Sequence, residues 1–184
     1  MTVYFGPNPT ALSGSILSES GLFGKRFVDY YADNFSFFDT AVLHGDTNKT
    51  TSIDNFTSSS DYYSWMWVGY FIPDVSGTWT FFTSSDDSSL LWIGDPAISG
   101  YPAISGFSAA NAVVNNAGLH GDQERSGTIT LDAGVQYPIR ITFGENSGGD
   151  IMTVSFTPPG GVKTTNGLGY YFGGEIAWGQ FVDR

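Results

Sequence analysis

WMWVGYFIPDVSGTWTFFTSSDDSSLLWI, residues 65–93, holds three runs of aromatic, aliphatic and β-branched residues cut by turn-forming ones. Runs 65–72 and 78–83 flank Pro73-Asp74-Val75-Ser76-Gly77, with Pro and Gly at turn positions, so they are expected to form a strand pair. Trp79 and Phe81 alternate with polar residues, the pattern of a half-buried strand, and 88–93 reads as the next strand. Between them lies Ser84-Ser85-Asp86-Asp87.

Downstream, 128–131 (TITL) and 136–143 (QYPIRITF) bracket Asp132-Ala133-Gly134, a second hairpin signal, and 151–156 (IMTVSF) alternates again. The loop GENSGGD, 144–150, joins the last two strands, and Pro158-Pro159-Gly160-Gly161 ends the series. Regular strands and turns of this kind predict an all-β fold, a β-sandwich or jelly-roll-like barrel with long loops. Short helices are expected only over 11–20 and 35–43. Residues 1–20, with Pro7, Pro9 and Gly14, read as a lead-in segment wrapping the body.

A length of 184 residues with no break in composition predicts one domain, 1–184. With 15 Phe, 10 Tyr and 5 Trp there is ample apolar surface for a core. The net charge of -11 repels phosphate backbones and anionic headgroups, which makes nucleic acid and membrane surfaces poor partners and suits a hard divalent cation. The absence of Cys excludes disulfides, thiolate metal sites and Cys nucleophiles. No stretch approaches the roughly 20 apolar residues of a membrane-spanning helix, and the chain is expected to be one module of a larger multidomain protein. No G-x-S-x-G elbow, Walker loop or H-E-x-x-H occurs, so the chain is not expected to be an enzyme.

Two loops combine carboxylates, amides and glycines as a calcium site requires: Asp86-Asp87, and Asn146-Ser147-Gly148-Gly149-Asp150. Adjacent Asp residues on an extended chain point to opposite sides, so a cis peptide is expected between Asp86 and Asp87 if both are to reach one ion. His120 reads as a turn residue. Trp65, Trp67, Trp79 and Trp92 read as core residues because they sit within strand runs.

The stretches WVGYFIPDVSGTWTFFTSSDDSSLLWIG and GTITLDAGVQYPIRITFGENSGGDIMTVSFTPPGG resemble the PA14 domain family over about residues 21–161, with the Ser-Asp-Asp motif and the glycine-bearing loop in place. The resemblance is closest to the lectin branch of yeast flocculins, epithelial adhesins and large bacterial surface adhesins. It implies a calcium ion held by two Asp residues joined by a cis peptide, with sugar hydroxyls completing the coordination. Carried over, Asp86 and Asp87 supply carboxylates, Asn146 its side-chain oxygen and Gly148 a backbone carbonyl. Asp150 supplies either a carbonyl or a carboxylate, and Ser147 is a further carbonyl candidate. Asp86, Asp87 and Asp150 are the implied sugar contacts. The lack of Cys departs from the yeast members and favours the bacterial branch.

The function so implied is a calcium-dependent lectin module of an extracellular, cell-surface adhesin, with glycans bearing vicinal hydroxyls as partners; by its length and polarity the 95–123 connection is the candidate for setting specificity. Two alternatives are a noncatalytic accessory domain of a secreted glycoside hydrolase and a structural or assembly domain that binds no sugar. The first is separated by flanking sequence, the second by an absence of glycan binding even with calcium.

Overall fold

The computed structural model describes residues 19–98 and 107–181. Within them the strands are β1 (Leu22–Val28), β2 (Leu43–Thr50), β3 (Tyr63–Phe71), β4 (Gly77–Asp86), β5 (Ser88–Ile93), β6 (Val114–Asn116), β7 (Gln123–Leu131), β8 (Tyr137–Glu145), β9 (Ile151–Thr157) and β10 (Tyr171–Phe172). The helices are α1 (Phe37–Thr40), α2 (Asp95–Ile98) and α3 (Gly174–Phe181). Residues 1–18, and with them nearly all of the helix expected over 11–20, lie outside the described residues.

The strands form two antiparallel sheets, one of seven strands in the order β2-β1-β3-β8-β5-β6 with β10 also paired to β3, the other of three in the order β7-β4-β9. This is the expected all-β sandwich. Every residue of β3 is buried, which explains why 65–72 is apolar throughout instead of alternating. Its Tyr63, Trp65, Trp67 and Phe71 face the three-stranded sheet, where they meet Trp79 and Phe81 of β4 and Met152, Val154 and Phe156 of β9. Its Met66, Val68 and Tyr70 face the other way, into a second core with Phe27, Phe38, Trp92 and Trp178. Both faces of the larger sheet are therefore covered. The four strand tryptophans are core residues as expected, each no more than 5% exposed.

Both expected hairpins are corrected. β3 pairs with β1, β8 and β10, whereas β4 pairs with β7 and β9 in the opposite sheet, so 72–76 arches across the sandwich. The turn at Asp132-Ala133-Gly134 likewise carries the chain from β7 in one sheet to β8 in the other. Turn residues reverse the chain, but whether the returning strand bonds edge to edge or packs face to face across about 10 Å depends on which faces must be buried.

Helix expectations change too. In 35–43 only Phe37–Thr40 is helical; Ala41 is extended and Leu43 opens β2. The helix α3, which the sequence did not suggest, begins among glycines and lays Trp178 against Phe23 and Phe27, with ring centroids 6.1 and 6.4 Å away. Tertiary packing overrides its weak local propensity. Strands β1 and β2 were equally illegible: β1 does not alternate, and β2 is a polar edge strand.

Candidate metal and ligand site

Strand register builds the site. β5 pairs with β8 through Ser88 and Gly144, and β4 pairs with β9 through Asp86 and Ile151. The two arches that cross the sandwich here, β4 to β5 and β8 to β9, consequently lie side by side at one end. One contains Asp86-Asp87; the other runs from Glu145 to Ile151.

The peptide between Asp86 and Asp87 is cis, as expected. Ligand atoms of Asp86, Asp87 and Glu145 all lie within 4.8 Å of one another. The Asp87 carboxylate is clamped by two backbone amides from different loops: Oδ1 accepts from His120 N and Oδ2 from Asn146 N, both at 3.0 Å. The serines around the pair are structural. Ser85 Oγ donates to Asp87 O at 2.6 Å, Ser89 Oγ donates to Thr83 Oγ1 at 2.9 Å, and Asn116 Nδ2 donates to Ser85 Oγ and to Gln123 O. Ser88 Oγ donates to Asp33 and contacts the Tyr31 hydroxyl. These buried hydroxyls satisfy the polar groups of a turn that would otherwise be costly to bury.

Glu145 was not singled out by the sequence, and it changes the site. It is fully buried, and neither carboxylate oxygen has a hydrogen-bond partner among the described residues. Burial first, then the charges of Asp87 and Asp86, push its carboxyl up to about 8. Burial and Asp87 raise the Asp86 carboxyl as well. A signal for Glu145 was present in the strand phase, since Ile139, Ile141, Phe143 and Glu145 occupy the same inward-facing alternation of β8. An acid in that phase is out of place in a core and in place beside an ion.

The other expected ligands are distributed differently. Asn146 enters through its backbone, its N–H on Asp87 and its carbonyl accepting from Tyr62 N at 3.1 Å. Ser147 and Gly148 are exposed, and Gly148 N donates to Asp61 Oδ1 at 3.2 Å. Gly149 runs beside Asp86: a Cβ added there would lie 3.7 Å from Asp86 Oδ2. The Asp150 carboxylate is turned to the preceding loop, where Oδ2 accepts from Ser58 N at 2.6 Å and from the Tyr63 hydroxyl. Segment 58–63 thus braces the 146–150 loop, a role its sequence did not disclose. Of the 95–123 connection, 99–106 lies outside the described residues, while the part before β7 delivers the His120 amide to Asp87. The His120 ring turns to the carbonyls of Asn116 and Gly121, both at 3.1 Å.

The donor set fits a hard divalent cation. It consists of oxygens only, three carboxylates converge, one of them is buried without a hydrogen bond, and no described ion pair reaches the cluster. The metal-free protein carries a pH signature of this crowding. Because the Glu145 carboxyl moves from 4.5 to about 8 on folding, the native state holds its proton more tightly than the unfolded chain. The associated stability is fully present below pH 4.5 and is lost as pH rises towards about 8. Denaturant melts of the metal-free protein across that range are expected to show the fall, and Glu145→Gln, which cannot titrate, to flatten it. An unchanged slope in the variant would remove Glu145 as the source.

The GLEYA domain family model matches residues 63–158, more than half of the chain, and that span includes both arches of the site. No curated protein matches the sequence significantly. Among solved structures, the Epithelial Adhesin 6 A domain from Candida glabrata, in complex with Galb1-3GlcNAc, aligns at 17% identity over 84% of this chain and 87% of that one, with a TM-score of 0.66. The PA14 domain of the antifreeze protein MpAFP aligns at 13% identity over 84% and 90%, with a TM-score of 0.63. A PA14 sugar-binding domain from an RTX adhesin aligns at 16% identity over 84% and 98%, with a TM-score of 0.61. At such identities the likeness is one of fold, and that fold is the PA14 β-sandwich. The family match reaches further, because it covers the strands and both loops that converge on Asp86, Asp87 and Glu145: the chain belongs to the GLEYA domain family.

Proposed function

We propose that this chain is a noncatalytic, calcium-dependent carbohydrate-binding module of a cell-surface adhesin, acting outside the cell on glycans that present neighbouring hydroxyls. The observation that carries the proposal is the convergence of Asp86, Asp87 and Glu145, with Glu145 buried and unpartnered. In this reading Asp86, Asp87 and Glu145 supply the charged ligands, and the 146–150 loop supplies up to three more oxygens from among the Asn146 side chain and the Ser147, Gly148 and Asp150 carbonyls. Calcium takes six to eight oxygens, so about six protein ligands leave two positions where sugar hydroxyls replace water. The amides of His120 and Asn146 keep Asp87 aimed at the ion whether or not a sugar is present. Ligand atoms within 4.8 Å leave no room for a sugar ring between the carboxyls, which supports binding over glycoside hydrolysis.

The solved adhesin domains of the same fold, one in complex with Galb1-3GlcNAc and one a PA14 sugar-binding domain from an RTX adhesin, support the same reading. A single site of this kind binds weakly, and adhesins gain strength from many copies on one surface. The test is a glycan array probed in excess calcium and again in chelator. Signals are expected to vanish in chelator and to return when calcium is restored. Undiminished binding in chelator, or no binding in either condition, sinks the proposal.

A further inference from the structure

Tyr62 is 55% exposed, yet its backbone is held at φ 55°, a left-handed conformation that bulky residues rarely adopt. It is pinned there from both sides. Its N–H donates to Asn146 O at 3.1 Å and its carbonyl accepts from Asp29 N at 3.0 Å. Its neighbours are anchored as well, Asp61 by Gly148 N and Tyr63 by Asp150. The backbone that carries this exposed aromatic ring is thereby fixed to the residue whose own amide clamps Asp87 Oδ2. On the other clamp, His120 N holds Asp87 Oδ1, and the residue before it, Leu119, is 64% exposed. Two large apolar side chains thus stand next to the two residues that grip the central carboxylate.

A left-handed tyrosine costs backbone energy that Gly or Asn would not, and such cost persists where the surroundings serve a function. A pyranose has hydroxyls at its edge and C–H groups on its faces. A ring carried on a backbone already held in place meets such a face with less loss of conformational freedom than one on a mobile loop. We propose that Tyr62 is the aromatic wall of the sugar site. It packs on the C–H face of a pyranose whose neighbouring hydroxyls meet the ion. This rests on the calcium-dependent reading above and adds the ligand class to it: cyclic sugars with an accessible apolar face.

The test uses Tyr62→Asn, which tolerates the left-handed backbone but removes the ring, and Tyr62→Phe, which keeps the ring. Affinity for a glycan found on the array is measured by surface plasmon resonance, and calcium affinity by calorimetry. Tyr62→Asn is expected to weaken glycan binding about tenfold or more, equivalent to about 1.4 kcal/mol, while Tyr62→Phe and the calcium affinity of both variants stay close to wild type. Wild-type glycan affinity in Tyr62→Asn overturns the proposal. So does a parallel loss of calcium affinity, which would make Tyr62 a brace for the loop only. Failure of the underlying reading looks different, because the wild-type protein itself would then bind no glycan or bind it equally in chelator, and the proposal falls with it.

Discussion

Asp87→Asn is expected to lower calcium affinity about a hundredfold or more, equivalent to about 2.7 kcal/mol, and to abolish detectable glycan binding. Two losses combine. The first is a full negative charge from a site whose affinity depends on ligand charge. The second is geometric. Asp87 accepts backbone N–H groups on both oxygens, from His120 and from Asn146. An Asn side chain has one acceptor and one donor end, so whichever way it turns, an NH2 faces one of those amides and a buried donor is orphaned at a cost of about 1–3 kcal/mol. The neighbouring Asp86→Asn separates the two effects. That carboxylate is pushed up first by burial and then by Asp87 beside it, so neutralising it removes both costs. Asp86→Asn is expected to lose calcium affinity while the metal-free protein keeps or gains stability, whereas Asp87→Asn loses both. Calorimetry with calcium and denaturant melts without it distinguish them. Calcium affinity within about threefold of wild type in Asp87→Asn would place the ion elsewhere.

The second large effect concerns the scaffold. Trp79→Ala is expected to destabilise the fold by about 3–5 kcal/mol and, at about 2–4 °C per kcal/mol for a chain of this size, to lower Tm by roughly 6–20 °C. Trp79 is fully buried between the sheets, packs on Phe71, Tyr170 and Phe156 at centroid distances of 5.2, 5.7 and 5.9 Å, and donates its indole N–H to Val75 O. It stands near the start of β4, and Asp86 at its end, about 23 Å away along an extended strand. Below the melting range, calcium affinity is therefore expected to stay unchanged. Differential scanning calorimetry reads the stability and titration the affinity. A drop in Tm under about 3 °C would mean that the cavity collapses and that the aromatic core is more plastic than its packing implies.

These two residues illustrate what can be read from a chain and what cannot. Trp79 was legible because period-two alternation places it on the inner face whichever strand lies beside β4. The Asp86–Asp87 pair was legible as a candidate because two adjacent carboxylates can serve one ion only from the same side, and the cis peptide meets that condition. Glu145 was not read as a ligand, although β8 presents it in the inward phase, because a strand end next to a glycine-rich loop also reads as a solvated turn. The 58–63 brace was beyond local reading altogether. Its contacts to the 146–150 loop join segments 84 or more residues apart, and no spacing rule links them.

The amino-acid sequence by itself determined the strands β3, β4, β5, β7, β8 and β9, the inward faces of β4 and β9, the four strand tryptophans and the acidic pair. Each follows from side-chain period, local turn chemistry or the same-side geometry that two adjacent carboxylates need to reach one ion, all short-range properties. Only the tertiary structure decided that the turns after β3 and β7 cross between sheets instead of closing hairpins. It alone brought the β4–β5 and β8–β9 arches together and added Glu145 to Asp86 and Asp87. The reason is that burial is a property of the whole chain. Strands β3 and β5 carry apolar side chains on both faces and β8 is buried on both, and a single sheet with one wet face cannot satisfy them. Stacking the sheets does, and the register of that stacking, Ser88 on Gly144 and Asp86 on Ile151, sets three carboxylates at one point.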